Sequence, residues 1–267
     1  MRIDRARLLG LQRRLLARAD VPPPQTWVAV RMAGHAIGIT RPEVARLLAA
    51  RESRCALSEH GLEFVAAGLD FRDRCALLNE AALRLRDEGL LSGWRDEQLD
   101  VRPLAGGAPL ATIERAACRP LGIATHAVHM NAFTADGALF VARRAPDKAV
   151  DPGLWDNLVG GMVAAGETEL GALAREAKEE AGLNLAQLAL TRGGLVRERR
   201  PVREGYLIES VQVFDAVLPA DCQPRNEDGE VDAIESRAAA DVLDAIERDD
   251  FTLEAALVTL DGLLRRA

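Results

Sequence analysis

Residues 161–183 read GMVAAGETELGALAREAKEEAGL, and they predict one helix with an acidic face. Glu176, Glu179 and Glu180 stand at i, i+3 and i+4, so their carboxylates project from the same side of that helix. Like charges at this spacing repel each other by about 0.2–0.5 kcal/mol. A hard divalent cation relieves that repulsion, and Mg²⁺ prefers carboxylate oxygens. A solvated acidic face, balanced by neighbouring basic residues, is the other explanation.

The limits and the buried side of this helix are also readable. Thr168 is a candidate N-cap, Glu169 in the first turn suits the helix dipole, and Gly182 is typical of a helix end. An apolar stripe beside the carboxylates is expected to face a core. The stripe comprises Leu170, Leu173, Ala174, Ala177 and Ala181.

The same stretch fits the pattern Gly-x5-Glu-x7-Arg-Glu-x-x-Glu-Glu-x-Gly and so resembles the signature of the Nudix hydrolases. The resemblance implies an α+β fold, a Nudix α/β/α sandwich with a mixed sheet, and an enzyme that hydrolyses a diphosphate bond. It implies Mg²⁺ or Mn²⁺ as the cofactor, which agrees with three hard oxygen donors on one helix face. The implied metal ligands are Glu176, Glu179, Glu180 and the backbone carbonyl of Gly161.

Three further positions of the motif have structural roles in this interpretation. Glu167 is expected to tie the loop to the helix, Arg175 to orient a carboxylate of the motif, and Gly182 to end the helix. Ordinary loop geometry is the alternative explanation for Gly161, Gly166 and Gly182, because glycine adopts tight turns easily.

More of the chain resembles one branch of this superfamily, the Nudix proteins fused to fungal thiamin pyrophosphokinases and their free-standing plant and bacterial relatives. That branch carries an extra N-terminal domain, and the resemblance is stronger over residues 112–235 than before them. It implies hydrolysis of thiamin diphosphate, or of its oxidised and damaged forms, to the monophosphate. The kinase domain is missing, so no kinase activity is inferred. The motifs concerned are Trp94–Glu97, Glu114–Ala117, Leu121–Asn131, Val141–Arg144, Pro152–Leu158 and Asp228–Val231.

The inferred reaction is attack of water on a phosphorus atom of the diphosphate, and a carboxylate must accept the proton of that water. Glu179 and Glu180 are candidates within the motif. Glu230 is the third, since Asp-Gly-Glu-Val at residues 228–231 predicts a turn that delivers its side chain to the site. An ordinary acidic turn is the alternative for Glu230.

Five residues before the motif are candidates for substrate binding. Arg143 and Arg144 end a predicted strand and Lys148 follows in a loop, so a guanidinium or ammonium group is available for the distal phosphate. Alternation along the strand sends the two arginines to opposite faces, which leaves one of them for this role. Trp155 and Asn157 belong to a Pro-Gly loop that could wall the pocket, and a tryptophan there would attract a thiazolium cation. A solvated strand end and ordinary packing are the alternatives.

The strand that follows residue 123 carries three polar side chains, His126, His129 and Asn131. Positions 129 and 131 share a face of the strand, from which they could reach a ligand ring. Satisfied structural histidines are the alternative, and the spacing does not match a zinc site.

The pattern of elements predicts two domains, a small α+β domain over residues 1–118 and the Nudix domain over residues 119–267. The breaker cluster Ala105–Pro109 precedes the boundary. The predicted elements are helices at 3–18, 42–48, 70–88, 236–247 and 252–265, and strands within 27–40, 55–65, 123–134, 138–144, 158–162 and 206–218.

Composition limits the possible partners and compartments. The 267 residues are 48% apolar with a formal net charge of −7, which argues against nucleic acid and leaves a small anionic diphosphate as the expected partner. The chain has no apolar run of about 18 residues and no signal-peptide pattern, so we expect neither membrane association nor secretion. Four widely spaced cysteines fit reduced thiols in a cytoplasmic protein. A homodimer is left open.

Three other functions compete with the thiamin-type hydrolase. Hydrolysis of a nucleoside diphosphate derivative such as ADP-ribose would use the same motif, because the motif grips only the diphosphate. An isopentenyl-diphosphate isomerase would need a cysteine and a histidine just before the motif, and residues 157–162 contain neither. An inactive ligand-binding module would have lost motif carboxylates, whereas this chain keeps all of them.

Overall fold

The computed structural model describes residues 4–148, 150–227, 229 and 231–267. Its helices are α1 (Arg5–Ala19), α2 (Pro42–Arg51), α3 (Phe71–Asp87), α4 (Cys118–Leu121), α5 (Glu169–Ala181), α6 (Ala239–Glu247) and α7 (Leu253–Arg266). Its strands are β1 (Val28–Met32), β2 (His35–Thr40), β3 (Cys55–Ser58), β4 (Gly61–Phe64), β5 (Gln98–Val101), β6 (Ala111–Glu114), β7 (Thr125–Phe133), β8 (Leu139–Arg144), β9 (Trp155–Asn157), β10 (Val159–Met162), β11 (Leu190–Pro201), β12 (Tyr206–Val217) and β13 (Val231–Arg237).

The first half of the chain forms a four-stranded sheet in the order β2-β1-β4-β3, with β5 and β6 as a separate antiparallel pair. The pairing of β1 with β4 is parallel and the other pairings are antiparallel. Leu62 and Phe64 of β4 share one buried core with Leu78 and Leu85 of α3. This arrangement agrees with the small α+β domain expected before residue 118.

The second half contains a sheet in the order β11-β12-β7-β8-β13, to which β10 adds at β7 and β9 at β8. The pairing of β12 with β7 is parallel whereas β11 and β8 run antiparallel to their neighbours, so the sheet is mixed. Side chains of β7 alternate between two cores: Val128 and Met130 pack toward α5, and Phe133 packs toward α6 and α7. The predicted α/β/α sandwich is therefore confirmed.

The first helix packs against this second sandwich. Leu8, Leu11 and Leu15 of α1 lie in the core that α6 and α7 form. Arg7 strengthens the contact through ion pairs with Asp244 at 2.6 Å and with Glu247 at 2.8 Å. The domain boundary at residue 118 stays a prediction. Helix α1 lies before that boundary in the sequence but packs against the second half of the chain.

Two local expectations differ from the structure. Residues 236–247 do not form one helix, because β13 continues to Arg237 and pairs with β8 before α6 begins at Ala239. Within α5, Leu170 is 55% exposed and Ala174 is exposed, while Ala172 is buried in their place. The buried stripe is thus rotated toward Ala172, which lets the acidic side of α5 turn to the sheet edge.

Two further observations concern the length and polarity of the helices and the state of the cysteines. In the part of the chain that the structure describes, every helix is too short or too polar to cross a membrane. The four cysteines are free thiols.

Candidate active site

Helix α5 is bounded as its sequence predicts. The Thr168 hydroxyl accepts a hydrogen bond from the Gly171 N–H at 3.1 Å, so it caps the first turn. Gly182 ends the helix with φ of +62°, a left-handed conformation that costs a glycine little. These two signals are local, and they fix where the carboxylates of α5 stand.

Arg175 connects this helix to the loop before it. Its guanidinium donates to Glu167 at 3.0 Å, to Glu176 at 2.7 Å and to the carbonyl of Met162 at 3.0 Å. The same oxygen of Glu167 also accepts the N–H of Ala164 at 3.1 Å. Glu167 and Arg175 therefore lie where a loop-to-helix tie and a carboxylate-orienting group are required.

The three carboxylates in the second half of α5 differ in exposure. Glu179 is 49% exposed and lies 3.4 Å from Arg175, whereas Glu176 is 14% exposed. Glu180 lines a cavity and accepts the N–H of Gly160 at 2.9 Å. Burial raises the pKa of Glu180 well above its ordinary value, and the charge of Glu176 adds to that shift. Burial also raises the pKa of Glu176.

The chemistry of these residues fits a hard divalent cation. A Cβ atom at Gly161 would collide with the carboxylate of Glu176, so this glycine lets the carboxylate approach the backbone. The raised pKa values of Glu176 and Glu180 reflect buried negative charge that a cation would stabilise. Among the described residues no three acidic, histidine or cysteine side chains already converge on one point. Arg175 holds Glu176, so metal binding would require that side chain to turn.

The cavity has a volume of about 620 Å³ and lies between β10, β11, β12 and the start of α7. Seven acidic and seven basic side chains line it, so neither sign of charge dominates. The acidic ones are Asp151, Asp156, Glu180, Glu198, Glu204, Glu209 and Glu254, and the basic ones are Arg95, Arg115, Arg119, Arg144, Lys148, Arg200 and Arg203.

The segment before β7 supplies one cationic wall of this cavity. Arg95, Arg115 and Arg119 line it, and Arg115 is held by Glu97 at 2.7 Å. The same segment supports the loop of the motif, since the N–H of residue 165 donates to the Gln98 carbonyl at 2.8 Å. Residues outside the Nudix motif therefore shape the site, which spacing along the chain does not reveal.

Two of the five predicted substrate-binding residues line the cavity, Arg144 and Lys148. Arg144 donates to Asp156 at 2.9 Å and to the carbonyl of Val150 at 3.0 Å, so its guanidinium has a fixed position. Arg143 faces the other side of β8, where it pairs with Asp232. The two arginines thus lie on opposite faces of the strand, as the sequence predicts, and Arg144 is the one that lines the cavity.

Trp155 and Asn157 lie outside the cavity lining. Trp155 packs against the core of α1, α6 and α7, and Arg237 lies over its ring at 4.8 Å. Asn157 is buried and its oxygen lies 2.9 Å from Nδ1 of His129. We therefore leave Arg143, Trp155 and Asn157 out of the proposed substrate-binding set; packing accounts for the last two.

The sequence interpretation missed three acidic side chains of the cavity, Glu198 of β11, Glu209 of β12 and Glu254 of α7. Burial, followed by the charge of Glu254, raises the pKa of Glu198 to about 7 and that of Glu209 to about 7. Their positions depend on strand register and on where α7 begins. The one signal in the sequence is that β12 carries two acidic residues, Glu209 and Asp215, on a face that is otherwise apolar.

His129 holds Glu254 in place beneath this cavity. Its Nε2 lies 2.9 Å from Glu254 and its Nδ1 lies 2.9 Å from the oxygen of Asn157, so both ring nitrogens can donate. Burial opposes protonation, but the charge and hydrogen bond of Glu254, together with Asp156 and Asn157, outweigh it and raise the pKa of His129 to about 10. Gly160 packs on the ring: a Cβ atom there would lie 2.6 Å from it. His129 thus acts as a fixed internal cation.

The third candidate for the proton acceptor, Glu230, lies outside the described residues. Its role stays a prediction, together with those of Glu179 and Glu180.

Two family models match successive parts of the chain. Residues 124–257 match the family model "NUDIX domain", and residues 24–125 match "Domain of unknown function (DUF4743)". Nudix hydrolase 20, chloroplastic, of Arabidopsis thaliana is 31% identical over 199 residues, which are 72% of this chain and 53% of that protein. Nudix hydrolase 24, chloroplastic, of the same plant is 32% identical over 187 residues, 68% and 51% respectively.

Among solved structures, DR0079 from Deinococcus radiodurans is similar to this chain with a TM-score of 0.49 and 25% sequence identity, covering 64% of this chain and 98% of that one. The chain spans about half the length of the two plant relatives. The NUDIX model covers half of the chain and includes the whole motif around α5. The chain therefore belongs to the Nudix family.

Proposed function

We propose that this protein hydrolyses a diphosphate bond of a small molecule with the help of Mg²⁺ or Mn²⁺. The observation that carries the proposal is Glu180, a buried motif carboxylate that lines a cavity which Arg144 and Lys148 also line. Carboxylates for a cation and guanidinium groups for phosphate oxygens are the two requirements of such a site.

The residues of the chain divide the work. Arg144 and Lys148 neutralise and orient the phosphate groups, with Arg115 and Arg119 as the opposite cationic wall. Glu176 and Glu180 hold the divalent cation, which when bound stabilises phosphate charge and acidifies water. Glu180 is also our first choice for the proton acceptor, because its raised pKa brings it closer to the operating pH.

For the substrate we propose a thiamin-type diphosphate, either thiamin diphosphate or an oxidised form, cleaved to the monophosphate. Two features support this class. The cavity carries both signs of charge, which suits a molecule with a cationic ring and an anionic diphosphate. Its described lining contains no Phe, Tyr or Trp on which a nucleobase of ADP-ribose would stack.

A substrate panel with chromatographic detection of the monophosphate products tests the proposal. We expect Mg²⁺-dependent cleavage of thiamin diphosphate or its oxidised forms with a higher kcat/KM than that of ADP-ribose. Faster cleavage of ADP-ribose or of a dinucleotide would overturn the substrate class and keep the reaction class. No cleavage of any diphosphate with either metal would overturn both.

The compartment and the oligomeric state stay predictions. The plant relatives are named as chloroplastic, which describes those proteins. For this chain we retain the cytoplasm as the expected location and a homodimer as an open alternative.

A further inference from the structure

Glu198 has a carboxylate oxygen without a partner. The residue is 2% exposed, it lines the cavity, and its Oε2 accepts from Arg200 at 3.1 Å. Its Oε1 is buried and has no hydrogen-bond partner among the residues that the structure describes. An unsatisfied buried carboxylate oxygen is costly, so a group that is missing from the free protein is expected to meet it.

A second buried glutamate stands directly opposite. Glu198 of β11 and Glu209 of β12 are cross-strand partners in the antiparallel pair, and Glu209 is 4% exposed. Directly opposed side chains have Cβ atoms about 4.5–5.5 Å apart and share one face of the sheet, and like charges there destabilise the pair. The hydroxyl of Thr125 donates to one oxygen of Glu209 at 2.7 Å. Folding alone offers no reason to oppose two buried glutamates.

The surrounding charges increase the repulsion. Glu254 enters from α7, and its charge acts on both Glu198 and Glu209. Arg200 and Arg119 offset the negative charge in part. This group of acids comes from three elements, so its arrangement is a product of the tertiary fold.

The shape of this acidic group favours an organic cation over a metal ion. One oxygen of Glu198 accepts from Arg200 and one oxygen of Glu209 accepts from Thr125, which leaves too few free oxygens for the about six or more ligands of a hard metal ion. A nitrogen cation with its charge spread over a ring or alkyl groups has a larger radius and can contact separate carboxylates. Arg115 and Arg144 line the same cavity, so an anionic group of the same ligand finds cationic partners there.

We propose that Glu198 and Glu209 form a binding site for a positively charged, nitrogen-containing group of the substrate, remote from its phosphates. The inference rests on the proposed function in one respect, namely that the diphosphate occupies the same cavity. In this proposal, side chains of β11 and β12 distinguish between substrates that the Nudix motif binds equally.

A matched pair of ligands tests the site without assuming a natural substrate. The pair is choline diphosphate and its neutral isostere, in which carbon replaces the quaternary nitrogen. Binding of both to the whole protein is measured by calorimetry without added metal, and cleavage of both is measured with Mg²⁺. We expect the protein to bind choline diphosphate at least tenfold more tightly than the isostere.

The substitution Glu198→Gln keeps the size of the side chain and removes its charge. We expect it to reduce the preference for choline diphosphate to under threefold, and Glu209→Gln serves as a second variant should the first fold poorly. Glu235→Gln, a partly exposed strand glutamate outside the cavity lining, is the control and should keep the full preference.

The outcomes separate this inference from the proposed function. Equal binding of the two ligands, or failure to bind either, overturns the cationic site. A preference that survives in both Glu198→Gln and Glu209→Gln also overturns it. A preference that depends on Glu198, with no cleavage of any diphosphate of the substrate panel, supports the cationic site and contradicts the hydrolase activity.

Discussion

Two groups of acids contribute to one cavity, Glu180 from the first group and Glu198 and Glu209 from the second, and the groups differ in origin. The box acids, Glu176, Glu179 and Glu180, lie within five consecutive residues of α5 and have Arg175 beside them. The strand acids, Glu198 and Glu209, come from two strands and meet through the register of β11 and β12. The box acids are visible in the sequence and the strand acids emerge only from the fold.

We assign the hydrolysis reaction to the box acids and the choice of substrate to the strand acids. A carboxylate helix that binds a cation needs only local spacing, so the same motif serves any diphosphate. Recognition of the remainder of a substrate depends on how strands and domains enclose it. The two groups should therefore respond differently when the substrate, the pH or a neighbouring charge is changed.

The largest expected effect lies among the box acids. Glu180→Gln should lower kcat about 10³-fold, because it removes the carboxylate that we assign to the cation and the proton. Glu179→Gln should also lower kcat, by a smaller factor, since that side chain is half exposed. Steady-state kinetics on a diphosphate substrate measures both, and circular dichroism checks the fold.

Glu235→Gln is the control for these variants and should keep the activity of the parent protein. Near-normal kcat in both Glu179→Gln and Glu180→Gln would mean that the cation and the base lie elsewhere. The distinction between box acids and strand acids would then lose its basis.

The next largest effect concerns His129, the internal cation beneath the cavity. His129→Gln should lower the free energy of unfolding by about 2 kcal/mol at neutral pH, because it leaves the partly buried Glu254 without its charged partner. The folded-state pKa of about 10 lies above the unfolded value near 6.5. The stabilisation from His129 is therefore complete below the unfolded value and disappears as the pH rises through 10.

Urea unfolding at neutral pH and near pH 10 measures this deficit, which should shrink at the higher pH. His126→Gln on the same strand is the control; it loses a partly exposed pair with Glu169 and should cost under about 1 kcal/mol. An equal deficit for His129→Gln at both pH values would contradict a charged His129.

A smaller effect separates two neighbouring arginines. Arg144→Gln should raise KM about tenfold, because it removes one guanidinium from the cavity wall. Arg143→Gln should leave KM unchanged, since Arg143 pairs with Asp232 on the opposite face. Equal effects of the two substitutions would mean that substrate does not enter where we place it.

The last effect concerns the free energy of unfolding, which the strand acids are expected to lower. The pKa of Glu198 is raised to about 7 in the folded protein, so its contribution to stability is present below the unfolded value near 4.3 and is lost as the pH rises through 7. Glu209 of β12, Glu254 of α7, Asp151 and Arg200 of the same strand face this carboxyl and share the effect.

Glu198→Gln should therefore match the parent protein near pH 4 and become relatively more stable toward pH 8. The two stability curves should diverge by at most about 1.4 kcal/mol per pH unit. Thermal unfolding across this range measures the divergence, with Glu235→Gln as the matched substitution that should show none. Parallel curves for Glu198→Gln would contradict a strained acidic pair.

The sequence predicts elements whose signals are local. Thr168 and Gly182 mark the ends of α5, and the α+β class follows from apolar periodicity and turn residues. The strand β11 is hidden because charged side chains such as Arg197 and Arg199 interrupt its pattern. Charged side chains also interrupt the pattern of residues 231–237, so the sequence does not predict this strand. The helix predicted at 236–247 overlaps its last two residues.

The site was predictable only in its motif. Glu180 and Arg144 follow from spacing and from strand alternation, and the structure brings both to the cavity. Trp155 has an aromatic ring that would attract a cation, but its side chain faces a core. Only the packing of α1 and α7 decides that orientation. Glu198 and Glu209 need the register of two strands, which no short pattern encodes.

A calorimetric titration with Mn²⁺ tests the central claim, that the box acids hold a divalent cation. We expect the protein to take up Mn²⁺, and Glu176→Gln combined with Glu180→Gln to weaken that uptake at least tenfold, while Glu235→Gln binds as the parent does. Undiminished uptake in the double variant, or no uptake by the parent protein with or without a diphosphate ligand, would contradict the account.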